Sequence, residues 1–285
     1  MSVQAAPPDG APASAPAPAP DLLEGPAGAP VDPLLPYLEA LFTEALDELR
    51  YPELRKGVQA LSELYVHSRA KGPIATRAAD GRGKAAAFRC FYAPLHLIVT
   101  RALVRSLPPG PAPRQLVDLG CGSGAAGAAL ALALAERGVP VELLGLDRVA
   151  DHLRHARLGW AALGLRGKVK SGALPGALGA PVADAMLVFG WSLNELEPAA
   201  RAETLLGVER WLRRGAGLLI LEPLSLKVSP WWPELRAQLA ESGVQEVVFK
   251  ERIPLPQRLR DLDRAAGLDH QELGCRALWR WPTGA

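Results

Sequence analysis

Apolar residues recur every three or four positions along the first third of the chain, from Val31 to about Pro108. This spacing is typical of helices that bury one face. The predicted helical stretches cover residues 34–49, 54–69 and 85–107. We therefore predict an N-terminal helical segment, with the role of a lid, over residues 31–110.

Two proline features divide this segment. Pro94 lies inside the third helical stretch and should begin or kink a helix, because proline lacks the N–H that the preceding turn needs. The run PPGPAP at 108–113 is rich in turn formers and is interpreted as a linker. A loop is expected at 71–84.

The pattern changes after the linker, where short apolar runs alternate with helical repeats. The predicted strands are 114–120, 141–147, 167–173, 183–191 and 215–223, with helices after Gly124 and at 150–163 and 198–213. A helix (231–243), an extended segment (244–254), another helix (257–267) and a terminal strand (274–282) follow. This alternation predicts an α/β fold with a doubly wound, Rossmann-like parallel sheet over residues 111–285.

The most informative motif is VDLGCGSGAAG at 117–127. An apolar strand carries Asp118 near its end and leads through Gly120, Gly122 and Gly124 into an alanine-rich helix. Glycines at this spacing let the backbone turn sharply and approach a ligand closely. The loop also feeds a helix N-terminus, which favours an anionic or strongly polar group. We interpret it as a nucleotide-type cofactor loop.

Two cofactors compete for this loop. Residues 122–127 fit the GxGxxG dinucleotide fingerprint, and Asp147 ends the next strand where a ribose-binding acid is expected. Asp118 does not belong to that fingerprint, because a carboxylate so close to the first glycine would repel a pyrophosphate. It would attract a cation or an amino group. A glycine turn without a ligand is the third interpretation.

The pattern Asp118-x-Gly120-x-Gly122-x-Gly124 resembles motif I of the class I S-adenosylmethionine (SAM) methyltransferases. The resemblance implies SAM as the cofactor, with the glycines holding its methionine half and Asp118 near its amino group. Asp147 would accept both ribose hydroxyls, although a helix N-cap is an alternative role. The predicted cofactor-binding residues are Asp118, Gly120, Cys121, Gly122, Ser123, Gly124, Asp147, Arg148, Gly172, Ala173, Gly190 and Trp191.

A second resemblance is more specific. The segments VFGWSLNELEP (188–198) and LRRGAGLLILEP (212–223) are similar to the methyltransferase-like family of small-ribosomal-subunit assembly proteins, known from mitochondria and with bacterial members. This implies ribosomal RNA or the small subunit as partner. Asn194 and Glu195, within LNEL, are the candidate catalytic residues: Asn194 would orient an acceptor amine and Glu195 would act as a base. Capping of the next helix is an equally strong interpretation of both.

The chain departs from that family at two places, and it lacks an acid that many methyltransferases carry. LSLKVSPWW follows Glu222-Pro223, and the cysteines that bind an iron–sulfur cluster in some members are missing. No acid follows the third predicted strand to receive the adenine amino group. A non-catalytic SAM-binding assembly factor and a small-molecule methyltransferase therefore stay open as alternatives.

Composition and charge add limits. Residues 1–30 are almost entirely Ala, Pro and Gly with a few acids, which predicts a disordered tail without secretory or mitochondrial targeting features. We expect a cytoplasmic protein without a membrane span. The net charge of +2 hides a basic body, because residues 51–285 hold 31 bases and 22 acids. Such a balance is compatible with an RNA partner.

Cysteine and histidine spacing predicts no metal site. The three cysteines are far apart, and Cys121 is expected to be a small packed residue under the cofactor. His152 and His155 are interpreted as part of a solvated helix face. Phe91, Tyr92 and Trp191 could stack on a base, but packing is the favoured role of each, and Trp231-Trp232 should mark a packed corner.

Overall fold

Seven strands form one sheet in the computed structural model, which describes residues 34–67 and 81–284, with only the backbone for 65–67. The strands are β1 (Gln115–Leu119), β2 (Glu142–Asp147), β3 (Gly167–Ser171), β4 (Ala185–Gly190), β5 (Gly217–Glu222), β6 (Gln245–Glu251) and β7 (Leu273–Arg280). Their order is β3-β2-β1-β4-β5-β7-β6. Strands β1 to β5 are parallel, and β7 is antiparallel to both of its neighbours.

The predicted doubly wound α/β fold is confirmed. The central strands β4 and β5 are buried almost throughout, as expected for parallel strands covered on both faces. Nine described α-helices accompany them: α1 (Leu35–Glu48), α2 (Tyr51–His67), α3 (Arg82–Ala87), α4 (Ala93–Ser106), α5 (Ala125–Glu136), α6 (Ala150–Ala162), α7 (Pro198–Arg213), α8 (Trp232–Ala240) and α9 (Gln257–Ala265). The predicted tail (1–30) and most of the predicted loop (71–84) lie outside the described residues.

Each face of the sheet has its own hydrophobic core. One core joins α5 and α6 with the N-terminal helices and contains Leu116, Val188 and Leu219 from the strands. The other packs α7 and α8 against Val117 and Leu187, whose side chains point the opposite way because neighbouring strand residues alternate.

The N-terminal helices pack on the first of these cores. Helix α4 lies along the alanine-rich α5, whose small side chains permit a close approach. Tyr37 of α1 occupies the space beside Gly159 of α6, where an added Cβ would lie 2.5 Å from the tyrosine ring. The predicted boundary near residue 110 stays a prediction, but residues 108–113 are anchored, because Trp281 Nε1 donates to the Pro108 carbonyl at 2.8 Å.

A π-helical turn, Phe88–Tyr92, joins α3 to α4, and Pro94 lies in the first turn of α4 as predicted. The stretch 82–106 is the one part of the described chain long and apolar enough to cross a membrane. However, 72% of its most apolar window is buried inside the protein. It therefore has the packing of a core helix.

Candidate functional site

The carboxyl ends of β1 and β4 form the switch point of the sheet, because the chain leaves them towards opposite directions. In open α/β sheets this is where ligands bind. The loops after β1, β2 and β4 meet there. Ser192, after β4, donates its hydroxyl to the Leu119 carbonyl at 2.8 Å and so joins two of these loops.

The glycine loop between β1 and α5 needs its glycines. Gly120, Gly122 and Gly124 have φ angles of +66°, +53° and +75°, a region that other residues rarely adopt. Gly124 also faces Trp160, whose Nε1 donates to the Gly124 carbonyl at 2.9 Å. The amides of Gly120 and Cys121 donate to the Leu146 carbonyl at the end of β2. The loop is thus held from two sides.

Cys121 and Ser123 are buried within this loop. Burial, with help from the nearby carboxylates, raises the pKa of the Cys121 thiol well above its usual value. The thiol is therefore protonated at neutral pH, which agrees with packing rather than with a reactive role.

Asp118 lies beneath the loop and is fully buried. Its Oδ2 accepts the Gly127 N–H from the first turn of α5 at 2.9 Å, whereas its Oδ1 has no hydrogen-bond partner among the described residues. Burial raises the pKa of Asp118 to about 7, and the charge of Asp147 adds to this shift. A buried carboxylate with an unsatisfied oxygen is stabilised by a nearby cation or donor.

The pKa of Asp147, at the end of β2, shifts in the opposite direction to that of Asp118. Its two oxygens accept the N–H groups of Gly122 and Val149, each at 2.9 Å, and His152 Nδ1 lies 3.4 Å away. Burial alone would raise the pKa of Asp147, but the bonds from His152, Val149 and Gly122 outweigh it and lower the pKa. The residue before α6 is Val149, so Asp147 is not the N-cap. It stays charged at neutral pH.

The exit of β4 approaches both the glycine loop and the N-terminal helices. A Cβ on Gly190 would lie 2.4 Å from Ala126 of α5. Trp191 has a φ of +56°, rare for a large side chain, and its ring stacks on His96 at 3.8 Å and 9°. Burial lowers the pKa of His96 to about 3, so the stacked imidazole is neutral. Phe88 lies beside His96 and His152.

Asn194 is held by a buried acid to which the sequence analysis gave no role. Glu222, at the end of β5, is fully buried and accepts three bonds: Asn194 Nδ2 at 2.6 Å, Asn194 N at 3.2 Å and Ser229 Oγ at 3.2 Å. Burial raises its pKa to about 7. The sequence feature that could have indicated this buried acid is the Glu222-Pro223 pair at the end of an apolar strand. Glu195 lies on the same short turn and is partly exposed.

The remaining predicted site residues lie at the ends of β2 and β3. Gly172 donates its N–H to the Asp147 carbonyl at 3.0 Å, so the loop after β3 borders Asp147. Arg148 and Ala173 are exposed beside it. Sequence analysis missed Phe88, His96 and Trp160, which only the folded chain brings to the loop.

The interpretation of His152 and His155 as a solvated face is wrong for His155. This residue is 2% exposed, and its Nε2 lies 3.0 Å from Glu44 of α1. His152 is partly exposed and lies against Phe88 and Asp147. Within 34–67 and 81–284 there is no group of three or more potential metal ligands. Trp231-Trp232 forms a packed corner as predicted, with Trp232 1% exposed.

No protein-family model matches the chain, and no curated protein matches it in sequence. Several solved structures, however, are similar to this chain in fold. A TehB-like SAM-dependent methyltransferase from Corynebacterium glutamicum is 16% identical over 78% of this chain and 98% of its own, with a TM-score of 0.41. A SAM-dependent methyltransferase from Aquifex aeolicus is 15% identical over 66% and 91%, with a TM-score of 0.41.

A SAM-dependent methyltransferase from Geobacter sulfurreducens, solved with S-adenosyl-L-homocysteine, is 21% identical over 66% of this chain and 91% of its own, with a TM-score of 0.37. The strand order and the parallel core, rather than these low scores, define the fold. It is a Rossmann-like α/β fold with a seven-stranded sheet.

Asp118 should make the ligand-free protein less stable as pH rises. Its folded pKa of about 7 exceeds the ordinary value of 3.8, so between these values the folded protein keeps a proton that the unfolded chain has released. The free energy of unfolding should therefore fall by up to about 4 kcal/mol from this group as pH rises from 4 to 7. Urea unfolding across this range measures it.

Asp118→Asn is the matched comparison, because its amide oxygen can still accept the Gly127 N–H. Histidines with lowered pKa values act in the opposite direction in both proteins, so the difference between the two profiles isolates Asp118. If the free energy of unfolding changed with pH in the same way in both proteins, the raised pKa of the Asp118 carboxyl would be contradicted.

Proposed function

We propose that the chain is a SAM-dependent methyltransferase. The observation that carries this proposal is the pair of acids around the glycine loop: Asp118 beneath it with an unsatisfied oxygen, and charged Asp147 beside it. Asp118 favours a cationic ligand and disfavours a pyrophosphate, because like charges repel in a site screened from water, and Asp147 favours a hydroxyl-bearing ligand. SAM carries a sulfonium, an ammonium and a ribose.

The residues present fit this cofactor. Asp118 Oδ1 would favour the ammonium group, and Asp147 would accept the ribose hydroxyls, since each carboxylate oxygen has a second lone pair beyond the backbone bond that it already accepts. Of the three left-handed glycines, Gly122 leaves space for a ligand, because an added Cβ there would meet only the Phe88 ring, at 3.8 Å. When bound, SAM supplies an electrophilic methyl group.

The protein side of the reaction would be positioning and exclusion of water. Because Asn194 Nδ2 donates to Glu222, its Oδ1 is the atom left to accept a hydrogen from an acceptor amine. Glu195, on the same turn, would take the proton. The N-terminal helices would act as the lid, since Phe88 approaches the Gly122 position and His96 stacks on Trp191.

We propose RNA, of the small ribosomal subunit, as the acceptor. The LNEL and Glu-Pro segments and the basic body of the chain support this choice. A small-molecule acceptor and a non-catalytic assembly factor are the alternatives, and the cytoplasmic location stays a prediction. Incubation with labelled SAM and fractionated lysate separates them: label in RNA supports the proposal, label in small molecules supports the first alternative, and co-sedimentation with the small subunit without transfer supports the second.

Titration calorimetry tests the cofactor directly. We expect SAM and S-adenosyl-homocysteine to bind the full-length protein with micromolar affinity, and NAD and NADP to show no heat of binding. Affinity for SAM should rise between pH 6 and 8, because the deprotonated Asp118 is the form that attracts a cation. Binding of NAD without SAM would overturn the proposal.

A further inference from the structure

A cavity lined by arginines opens beside β6, the outer strand at one side of the sheet. It has a volume of about 270 Å³ and lies between the end of β6, helix α9 and the loop before β7. Arg252, Arg260 and Arg264 line it together with His270. We call this cavity the arginine pocket.

The arginine pocket and the cofactor loop both lie at the carboxyl ends of the parallel strands. Strand β6 is antiparallel to β7, which is antiparallel to β5, so β6 runs in the direction of β1 to β5. Its carboxyl end, Glu251, pairs with the first residue of β7, Leu273. Three strand spacings, about 14 Å in all, separate the carboxyl end of β6 from that of β4.

The acids of the pocket are already engaged. Asp263 is 4% exposed; it accepts the His270 N–H at 2.9 Å, and His270 Nδ1 lies 2.5 Å from its other oxygen. Asp269 accepts a hydrogen bond from the Gln271 amide. Neither carboxylate pairs with an arginine of the pocket.

The arginines, in contrast, have no carboxylate partner in the described part of the chain. Among residues 34–67 and 81–284, no carboxylate oxygen lies within 4.0 Å of the guanidinium of Arg252, Arg260 or Arg264. Arg260 donates to the neutral side chain of Gln257, and Arg252 acts only at longer range, where it helps Lys250 to lower the pKa of Glu272. Arg260 and Arg264 stand one helical turn apart, where like charges destabilise a helix.

Exposed guanidinium groups that converge on one cavity are suited to phosphate, which they bind in a bidentate manner. We propose that the arginine pocket binds a phosphate group of the acceptor, and that this acceptor is a single RNA strand reaching the exit of β4. The three strand spacings of about 14 Å between the ends of β6 and β4 match a span of a few nucleotides. The choice of RNA rests on the proposed function, whereas phosphate binding does not.

The test uses the full-length protein without SAM. Fluorescence anisotropy with a short labelled single-stranded RNA, and calorimetry with inorganic phosphate and with a nucleoside monophosphate at constant ionic strength, measure the two sources of phosphate. The pocket variant is Arg260→Gln/Arg264→Gln. The matched control is Arg166→Gln/Lys168→Gln, which removes the same charge from exposed positions at the opposite edge of the sheet.

RNA affinity should fall about a hundredfold in the pocket variant, because each of the two removed arginines takes away a charge-assisted hydrogen bond to phosphate worth about tenfold. In the control it should fall less than about threefold. The slope of log affinity against log salt should become shallower by about 0.7, because the pocket neutralises one phosphate and each phosphate neutralised on a single strand contributes about 0.7. Inorganic phosphate and the nucleotide should compete with RNA for the wild-type protein.

If RNA affinity fell equally in both variants, the proposal that the arginine pocket binds phosphate would be wrong, because general surface charge would then explain the binding. Loss of nucleotide binding with unchanged RNA binding would overturn RNA as the source. Calorimetry with SAM keeps the two proposals apart: the pocket variant should bind SAM as the wild type does, so failure of the pocket leaves the cofactor assignment intact.

Discussion

Gly124→Ala should lower the free energy of unfolding by about 3 kcal/mol or more, a large effect for a single methyl group. The left-handed φ of +75° costs an alanine about 1 kcal/mol. The new Cβ would also lie 2.4 Å from Trp160 Nε1 and 3.0 Å from the Ala156 Cβ, and overpacking of this kind costs about 1–3 kcal/mol. Displacing Trp160 would remove its bond to the Gly124 carbonyl.

Gly138→Ala is the matched control. Gly138 has nearly the same φ, +77°, but nothing lies within 4 Å of its added Cβ. Its substitution should therefore cost only the backbone strain of about 1 kcal/mol. Urea unfolding of both variants separates strain from packing. Equal destabilisation would mean that Trp160 moves away without cost, and that the loop is not held by this side chain.

The central strands of the sheet show what the sequence can predict. The strands β1, β4 and β5 are apolar runs bounded by Gly, Asp or Pro, and their predicted ranges contain the observed ones. Such runs are readable because both faces of a central parallel strand are buried. The glycine loop and Asp147 are equally local, since they directly follow strands in the chain.

The supports of the site could not be predicted, because they depend on distant segments meeting in the folded chain. Trp160 reaches Gly124 from the last turn of α6, and His96 reaches Trp191 from α4. Neither tryptophan nor histidine has a local pattern that distinguishes such an interaction from ordinary packing. His155 illustrates the limit: its helix alone suggests a solvated face, and only the placement of α1 buries it beside Glu44.

The acids of the site were predicted by position, but their charges were not. Asp118 and Glu222 both have pKa values raised to about 7 by burial, whereas Asp147 is held charged by the bonds from His152, Val149 and Gly122. Glu222 accepts as many bonds as Asp147, so the difference comes from burial: Asp118 and Glu222 are 0% exposed, whereas Asp147 is 8% exposed. Asp147 is therefore the one of the three that carries a full negative charge below pH 7.

This charge makes Asp147 the residue whose removal should affect SAM binding most. Asp147→Ala should weaken the affinity about a hundredfold or more, because it removes two charge-assisted hydrogen bonds to the ribose, each worth about 1.5–3 kcal/mol. The Gly122 amide would also be left without its acceptor at 2.9 Å. Titration calorimetry with SAM measures the change, and thermal unfolding shows whether the loop survives.

Asp147→Asn and Asp151→Ala complete the experiment. The asparagine keeps an oxygen for the Gly122 N–H, so it should preserve the loop while weakening SAM binding through the missing charge. Asp151, four residues further on, is exposed and pairs with Arg154 at 2.8 Å, so its removal takes away the same charge without touching the site. We expect unchanged affinity in that control. A SAM affinity that is the same in Asp147→Ala and Asp151→Ala would show that the carboxylate at the end of β2 does not bind the ribose.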